Sequence, residues 1–160
     1  MSQPDRHRGA YAYYDVLEKI KDSLLLDVNV NTVTEGDITQ VNLNKQDIFP
    51  LSHIIVNNVS ENGQILTFNL SVMAMDIVDV SKSKTIDIFR GNDNEQDVLN
   101  TQLAVLNKFL QRMRSGNLHF DAYQLDSSAN IEPFRDRFEN QVAGWVATFS
   151  LVVMNNIDAC

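Results

Sequence analysis

One stretch of the chain constrains the fold more than any other: residues 95–114 repeat their apolar side chains with the period of an α-helix. Intervals of four, three, four and three residues separate Leu99, Leu103, Leu106, Leu110 and Met113. This spacing places the five side chains on one stripe of a helix. Asn94 stands where an N-cap is expected, and Gly116 stands where a helix ends. A long amphipathic helix of this kind needs a sheet to pack against.

Segments with the period of a β-strand flank this helix and can supply that sheet. Residues 66–74 and 145–154 alternate apolar with more polar side chains, which is typical of half-buried strands. The Asn-Gly pair at 62–63 predicts a tight turn that joins the first of these strands to the strand before it. Residues 118–125 are predicted to form another core strand, and residues 126–140 a polar loop.

The first half of the chain adds a helix and a polar segment. An apolar stripe predicts a helix over residues 10–26. Residues 28–43 mix β-branched side chains with Asn, Thr and Asp around Gly36, which predicts a polar β-hairpin that projects as an arm. We therefore predict one α+β domain over residues 1–160, with a flexible N-terminus at residues 1–9. Its antiparallel sheet of about four core strands would be covered on one face by two helices.

Charge and cysteine content argue against several classes of function. The chain has 13 basic and 21 acidic residues and a net charge of −8, so it lacks a basic surface for binding nucleic acid phosphates. Its single cysteine, Cys160, allows neither an internal disulfide nor a thiolate zinc site. No apolar run approaches the roughly 20 residues of a bilayer helix, and residues 1–9 lack the apolar segment of a secretory signal. We expect no cofactor and no membrane contact.

Candidate catalytic residues are few and scattered. The three histidines show no metal-ligand spacing: His7, His53 and His119. Asp76 and Asp79 lie three residues apart at a strand end, and together with Asp121 they suggest a small metal-dependent hydrolase as one alternative. A solvated strand end explains the same residues more simply. We therefore predict a protein that is not an enzyme, with no catalytic or metal-binding residues.

Apolar side chains in polar surroundings predict a contact surface instead. Four aromatic residues have such surroundings: Phe49, Phe89, Phe134 and Phe138. An extended polar arm also offers main-chain groups that can add a strand to a neighbour's sheet. The predicted interface residues are Val30, Val33, Ile38, Val41, Phe49, Phe134 and Phe138. A monomeric or dimeric adaptor that binds one protein partner is a further alternative.

Several segments resemble one family of viral proteins. Residues 30–37 (VNTVTEGD) and 48–54 (IFPLSHI) resemble the first half of the small tail-completion or tail-terminator proteins of tailed bacteriophages. The acidic end of residues 68–79, the long helix after Asn94 and residues 140–145 (NQVAGW) are similar to that family's later elements. The resemblance implies an α+β fold and a non-enzymatic virion protein. Such proteins form a ring, commonly a hexamer, at the phage neck or tail.

The same resemblance implies the partners and the location of the chain. The partners would be other copies of the chain and neighbouring connector, portal-adaptor or tail-tube proteins, in a virion made in the bacterial host cytoplasm. DNA would pass through the lumen without specific binding, and an acidic wall would repel its phosphates. Subunits of a ring meet through two different patches. We expect residues 28–43 and 126–140 to form the two sides of that contact.

Overall fold

The computed structural model describes five ranges of the chain: residues 12–42, 45–79, 82–116, 123–135 and 141–155. Within them the chain forms two α-helices, α1 (Ala12–Leu25) and α2 (Glu95–Arg114). It also forms five strands: β1 (Thr32–Glu35), β2 (Leu51–Asn62), β3 (Ile65–Ile77), β4 (Tyr123–Arg135) and β5 (Val142–Met154). The strands make one sheet in the order β1-β2-β3-β5-β4, in which only the pair β1 and β2 is parallel. The fold is therefore α+β, as predicted, but the sheet has more strands than the predicted four and includes one parallel pair.

α2 is the helix that the apolar stripe predicts, with one difference in its buried face. Acidic residues occupy its first turn and basic residues its last, where each complements the helix dipole. Four of the five predicted stripe residues are buried, but Leu103 is exposed, and Gln102 takes a place in the buried face. Gly116 follows the helix without a positive φ, and a side chain there would collide with the ring of Tyr123.

The main core lies between the two helices and one face of the sheet. α2 packs on β3 and β5, and α1 packs beside α2. Arg112 of α2 fixes α1 by donating hydrogen bonds to the carbonyl of Ser23 at 2.8 Å and to its hydroxyl at 3.1 Å. The strand residues in this core are those that the alternation predicts, including Phe68, Leu70, Val72, Ala147, Phe149 and Leu151. In the described ranges, no helix has the length and apolar character needed to cross a bilayer.

A second core covers part of the opposite face of the sheet. The connection from β1 to β2 crosses this face through two 3₁₀ helices, η1 (Ile38–Gln40) and η2 (Gln46–Ile48), and a cis Phe49–Pro50 bond. A crossover of this kind is required because β1 and β2 are parallel. The buried residues of this second core are Phe49, Leu51, Met73, Met75, Phe134 and Val142.

Residues 28–43 do not form the predicted hairpin arm in the part of this segment that the structure describes. β1 pairs with β2 rather than with a strand that follows it directly. The chain turns at Gly36, which has a φ of 107°. Asp37 then caps η1, because its Oδ1 accepts the N–H of Thr39 at 2.9 Å. Ile38 packs against the second core, so burial and capping replace the expected second strand.

The fourth strand also differs from the prediction. Residues 126–135, assigned to the loop 126–140, belong to β4, and only 123–125 of the predicted strand 118–125 lie in the described ranges. Pro133 is tolerated because β4 lies at one edge of the five-stranded sheet. The register between β4 and β5 shifts between Asp126 and Asn130, so the polar residues at this point form an irregularity in the edge strand.

Candidate assembly surface

Most predicted interface residues are used within the chain's own cores. Phe49 and Phe134 are buried in the second core, and Val30 is buried in the main core. Three others are partly buried against these cores: Val33, Ile38 and Val41. Side chains packed inside one chain have little surface to offer a neighbour. Phe138 lies outside the described residues, as do His7, His119, Asp121 and Cys160.

Three of the four most exposed large apolar side chains in the described ranges lie instead between β3 and α2, in residues 82–94. Ile86 is 97% exposed, Ile88 92% and Phe89 84%. Three such side chains within four residues form an apolar cluster that makes no use of the chain's own cores. Exposed apolar clusters of this kind mark contact surfaces more often than isolated exposed residues do.

Hydrogen bonds within this 82–94 loop fix the backbone that carries the cluster. Asp87 Oδ1 accepts the N–H groups of Phe89 at 3.0 Å and Arg90 at 3.3 Å. The carbonyl of Asp87 accepts the N–H of Gly91 at 2.7 Å, and Gly91 has a φ of 71°. An Asp side chain that bonds to the backbone two residues on is a common way to stabilise a turn.

Two further side chains fasten the ends of the loop. Asn92 donates to the carbonyl of Ser83 at 2.7 Å, which closes the loop on itself. Gln96, in the first turn of α2, donates to the carbonyl of Phe89 at 2.7 Å. The apolar cluster is therefore held in place on a long, well-packed helix. Because the fold already orders these residues, binding a partner costs them less conformational entropy.

The 82–94 loop is basic on an acidic protein. Residues 82–94 contain Lys82, Lys84 and Arg90 against Asp87 and Asp93, which gives three positive charges minus two, or +1. Residues 82–92 are all exposed. The whole chain carries −8. The loop thus joins exposed apolar side chains to a local positive charge.

A second exposed apolar group lies where α1 ends. Leu25 is exposed, Leu26 is 71% exposed and Val28 is 95% exposed, and together they form what we call the α1-end patch. Residues 15–28 contain four Asp or Glu and two Lys, which sum to −2. Lys108 and Arg112 of α2 lie against the same end of α1 and offset this charge.

The two exposed groups lie at opposite ends of α2. The 82–94 loop leads directly into the first turn of that helix. The end of α1 lies beside its last turns, where Arg112 bonds to Ser23 and Lys108 Nζ lies 4.0 Å from Asp27 Oδ2. Lys108 follows Glu95 by 13 residues, which is about 20 Å at a rise of about 1.5 Å per residue.

The remaining face of the sheet is polar and uncharged over β2, β3 and β5. Its side chains bond to one another, for example Asn57 to Ser71 at 2.9 Å and Ser150 to Asn69 at 2.5 Å. The residues of this polar face are Asn57, Asn58, Asn69, Ser71, Thr148 and Ser150. None of them is cationic, so this surface has no group that pairs with a phosphate.

The acidic pair considered for metal chemistry does not belong to a ligand cluster. Burial raises the pKa of the half-buried Asp76, against the hydrogen bond from the N–H of Ile77, which lowers it. The N–H of Asp79 donates to Asn94 Oδ1 at 2.6 Å, which ties the strand end to the start of α2. In the described ranges, no three His, Cys, Asp or Glu side chains are grouped so that they could hold a metal ion.

His53 is a structural residue inside the fold. Its Nε2 lies 2.8 Å from the carbonyl of Gly36, and its Nδ1 lies 2.7 Å from Thr34 Oγ1. Because a carbonyl only accepts, Nε2 carries the proton and Nδ1 accepts from the threonine hydroxyl. Burial lowers the pKa of His53, which favours this neutral form. The ring fastens the end of β1 to β2.

No protein-family model matches the sequence of this chain, and a search of the curated proteins found no match to it. The function is therefore argued from the chain's own surfaces.

Sequence reasoning singled out Phe89 but missed its two apolar neighbours. The segment reads TIDIF between Lys84 and Arg90. An Asp between two isoleucines is the available signal, because Asp favours a turn and the isoleucines then have no strand to belong to. Local sequence gives no measure of exposure, so the pattern by itself indicates only a surface connection.

Proposed function

We propose that this protein is a non-enzymatic structural subunit that assembles with copies of itself into a ring at the neck or tail of a tailed bacteriophage. Its role there would be tail termination, tail completion or head–tail joining. The observation that carries the proposal is the 82–94 loop, which holds three nearly fully exposed apolar side chains on a hydrogen-bonded frame. Removing apolar surface from water stabilises a complex by about 25 cal/mol per Å². In the isolated chain these side chains remain in water, so this stabilisation is not gained.

Two features support a position around DNA. The net charge of −8 repels phosphates, and the polar face offers them no cation. The resemblance of residues 30–37 and 48–54 to tail-completion and tail-terminator proteins supports the phage assignment. Neighbouring connector, portal-adaptor or tail-tube proteins would be the other partners, and the assembled virion would be its location. The proposed role needs no cofactor.

The native mass of the purified chain tests this proposal. We expect a closed ring, with a mass that is a multiple of 18.1 kDa, at low to high micromolar concentration and unchanged by EDTA. A monomer whose state depends on a divalent metal would favour the hydrolase that uses Asp76 and Asp79. A monomer or dimer that ignores metal would favour an adaptor whose 82–94 loop binds one other protein.

A further inference from the structure

We infer that the polar face of the sheet lines the lumen of the ring, so that duplex DNA passes this face across a layer of water. This inference rests on the proposed function and names the surface of the subunit that faces the DNA. The sheet has the two helices on one side and, beyond the second core, the polar face on the other. Charge, hydrogen bonding and exposed apolar surface all distinguish these two sides.

The polar face continues onto β4, where it becomes acidic. The register places Asp126 of β4 opposite Ser150 of β5, and Asn130 opposite Thr148. Directly opposed residues of an antiparallel pair point to the same face of the sheet. Glu132 shares this face, because it accepts the side-chain amide of Asn130 at 3.1 Å. Both carboxylates, Asp126 and Glu132, are exposed.

The basic residues that the structure describes lie elsewhere. They belong to the two helices, to the 82–94 loop, to the crossover over the second core and to the end of β4. The last of these is Arg135, whose Nη1 lies 3.0 Å from Oε1 of Glu95 on the helical side. Each position on a lumen wall is repeated in every subunit, so one cation there would become a ring of positive charge that holds phosphates. The carboxylates of this face repel phosphates instead.

Side-chain amides of the polar face already have acceptors within it. Asn57 donates to the hydroxyl of Ser71 at 2.9 Å, and Asn69 donates to Oδ1 of Asn58 at 2.5 Å. Neutral amides of this kind bond to DNA phosphates when they are free. Their pairing within the sheet leaves fewer donors that could slow a duplex as it moves past.

The polar face also lacks the large exposed apolar side chains that a protein partner would need. In the described ranges such side chains lie on the helices, in the α1-end patch, in the 82–94 loop and at Val59. Val59 pairs with Phe68, a residue of the main core, so it points to the helical side. Specific protein contacts have apolar or aromatic centres. A face without them is suited to water rather than to a neighbouring subunit.

Two matched lysine variants test the inference. The polar-face variant combines Asn58→Lys and Thr148→Lys, and the α2 variant combines Asn107→Lys and Gln111→Lys. All four positions are exposed, and both variants gain the same charge. Rings of each variant are assembled first and then mixed with a short linear DNA duplex. The two ends of the duplex are either free or blocked by bound streptavidin, so that a blocked duplex cannot enter a closed ring.

We expect the polar-face variant to bind the free duplex at least about tenfold more tightly than the wild-type ring does, with an affinity that falls as salt is raised. Blocking the ends should remove most of this gain, because the added lysines are reached only from inside the ring. The α2 variant should bind free and blocked duplexes equally, since its lysines lie on the helical side. Fluorescence anisotropy of the labelled duplex measures each affinity.

Three results would overturn the inference and leave the ring in place. Equal binding of free and blocked duplexes by the polar-face variant would put this face on the outside. Binding no tighter than that of the wild-type ring would show that the face does not meet DNA. A variant that is folded by circular dichroism but no longer assembles would put the face at a subunit contact.

Two further outcomes are also decisive. If the double variant does not fold, Asn58→Lys alone gives the same comparison, because this position lies on β2 beyond the residues that β1 covers. A wild-type chain that forms no ring at any concentration would overturn the proposed function, and the inference with it.

Discussion

The substitution Gln102→Leu should raise the free energy of unfolding by about 1–3 kcal/mol. Gln102 is 1% exposed, and neither atom of its amide has a hydrogen-bond partner among the described residues. A buried polar atom without a partner costs about 1–3 kcal/mol, so the two atoms together cost about 2–6. Leucine removes both atoms. The imperfect fit of its side chain in the core lowers the resulting gain in the free energy of unfolding by about 1–3 kcal/mol.

The backbone of α2 is bonded to the sheet close to this residue. The indole N–H of Trp145 donates to the carbonyl of Leu99, nearly one turn before Gln102, at 2.7 Å. Trp145 lies in one row of the sheet with Ala74 and Ser52. Ser52 Oγ is also buried without a partner among the described residues.

Urea unfolding at one protein concentration measures the effect, since assembly adds to apparent stability. The midpoint should rise with an unchanged denaturant slope. Thermal unfolding should shift upwards by about 2–4 °C for each kcal/mol. Gln111→Leu makes the same chemical change at an exposed position of α2 and should stay within about 0.5 kcal/mol. A less stable Gln102→Leu protein would refute the reasoning and indicate that ordered water bonds the amide.

Three further changes and one control test the cores and the sheet. Phe134→Ala should lower the free energy of unfolding in urea by about 3–5 kcal/mol because it empties part of the second core. Phe89→Ala, at an exposed position, should change it by less than about 0.5 kcal/mol, and equal effects would contradict the different burial of the two rings. Burial lowers the pKa of His53, so its stabilising contribution is present above the unfolded pKa of about 6.5 and is lost as pH falls through the folded pKa. His53→Gln should therefore flatten the decline of stability below about pH 6.5, and parallel pH curves for the two proteins would count against this account. Gly144→Ala should destabilise the fold by more than about 3 kcal/mol or prevent folding, because a Cβ there meets the carbonyl oxygen of Ala74; unchanged thermal unfolding would exclude so close an approach.

The sequence predicted elements whose pattern is local and periodic. The stripe at residues 99–113 predicted α2, and the alternation at 145–153 predicted the core face of β5. Both follow from the direction in which successive side chains point along a helix or strand. The predicted arm at residues 28–43 is not confirmed, for a different reason. The partner of β1 lies far along the chain, where Thr32 pairs with Leu51, and no local pattern specifies such a pairing.

The candidate surface was harder to predict because an aromatic residue in polar surroundings has two explanations. Phe134 lies opposite Gly144 on the neighbouring strand. Its ring packs in the second core, which the sequence around Phe134 does not reveal. Phe89 has similarly polar neighbours but lies in a loop turned away from both cores. Tertiary packing distinguishes the two residues, and composition does not.

The second core also divides the sheet into a part that is covered on both faces and a part that is covered on one face. β3 is covered on both faces near Met73 and Met75 but on one face only near the turn at Gly63. Backbone amides under double cover exchange with solvent only through large-scale opening, whereas those under single cover exchange through local opening as well. The tip formed by β2 and β3 can therefore bend or separate while the other end of the same strands stays closed. A subunit built in this way can adjust its shape to a neighbour and keep its own core intact.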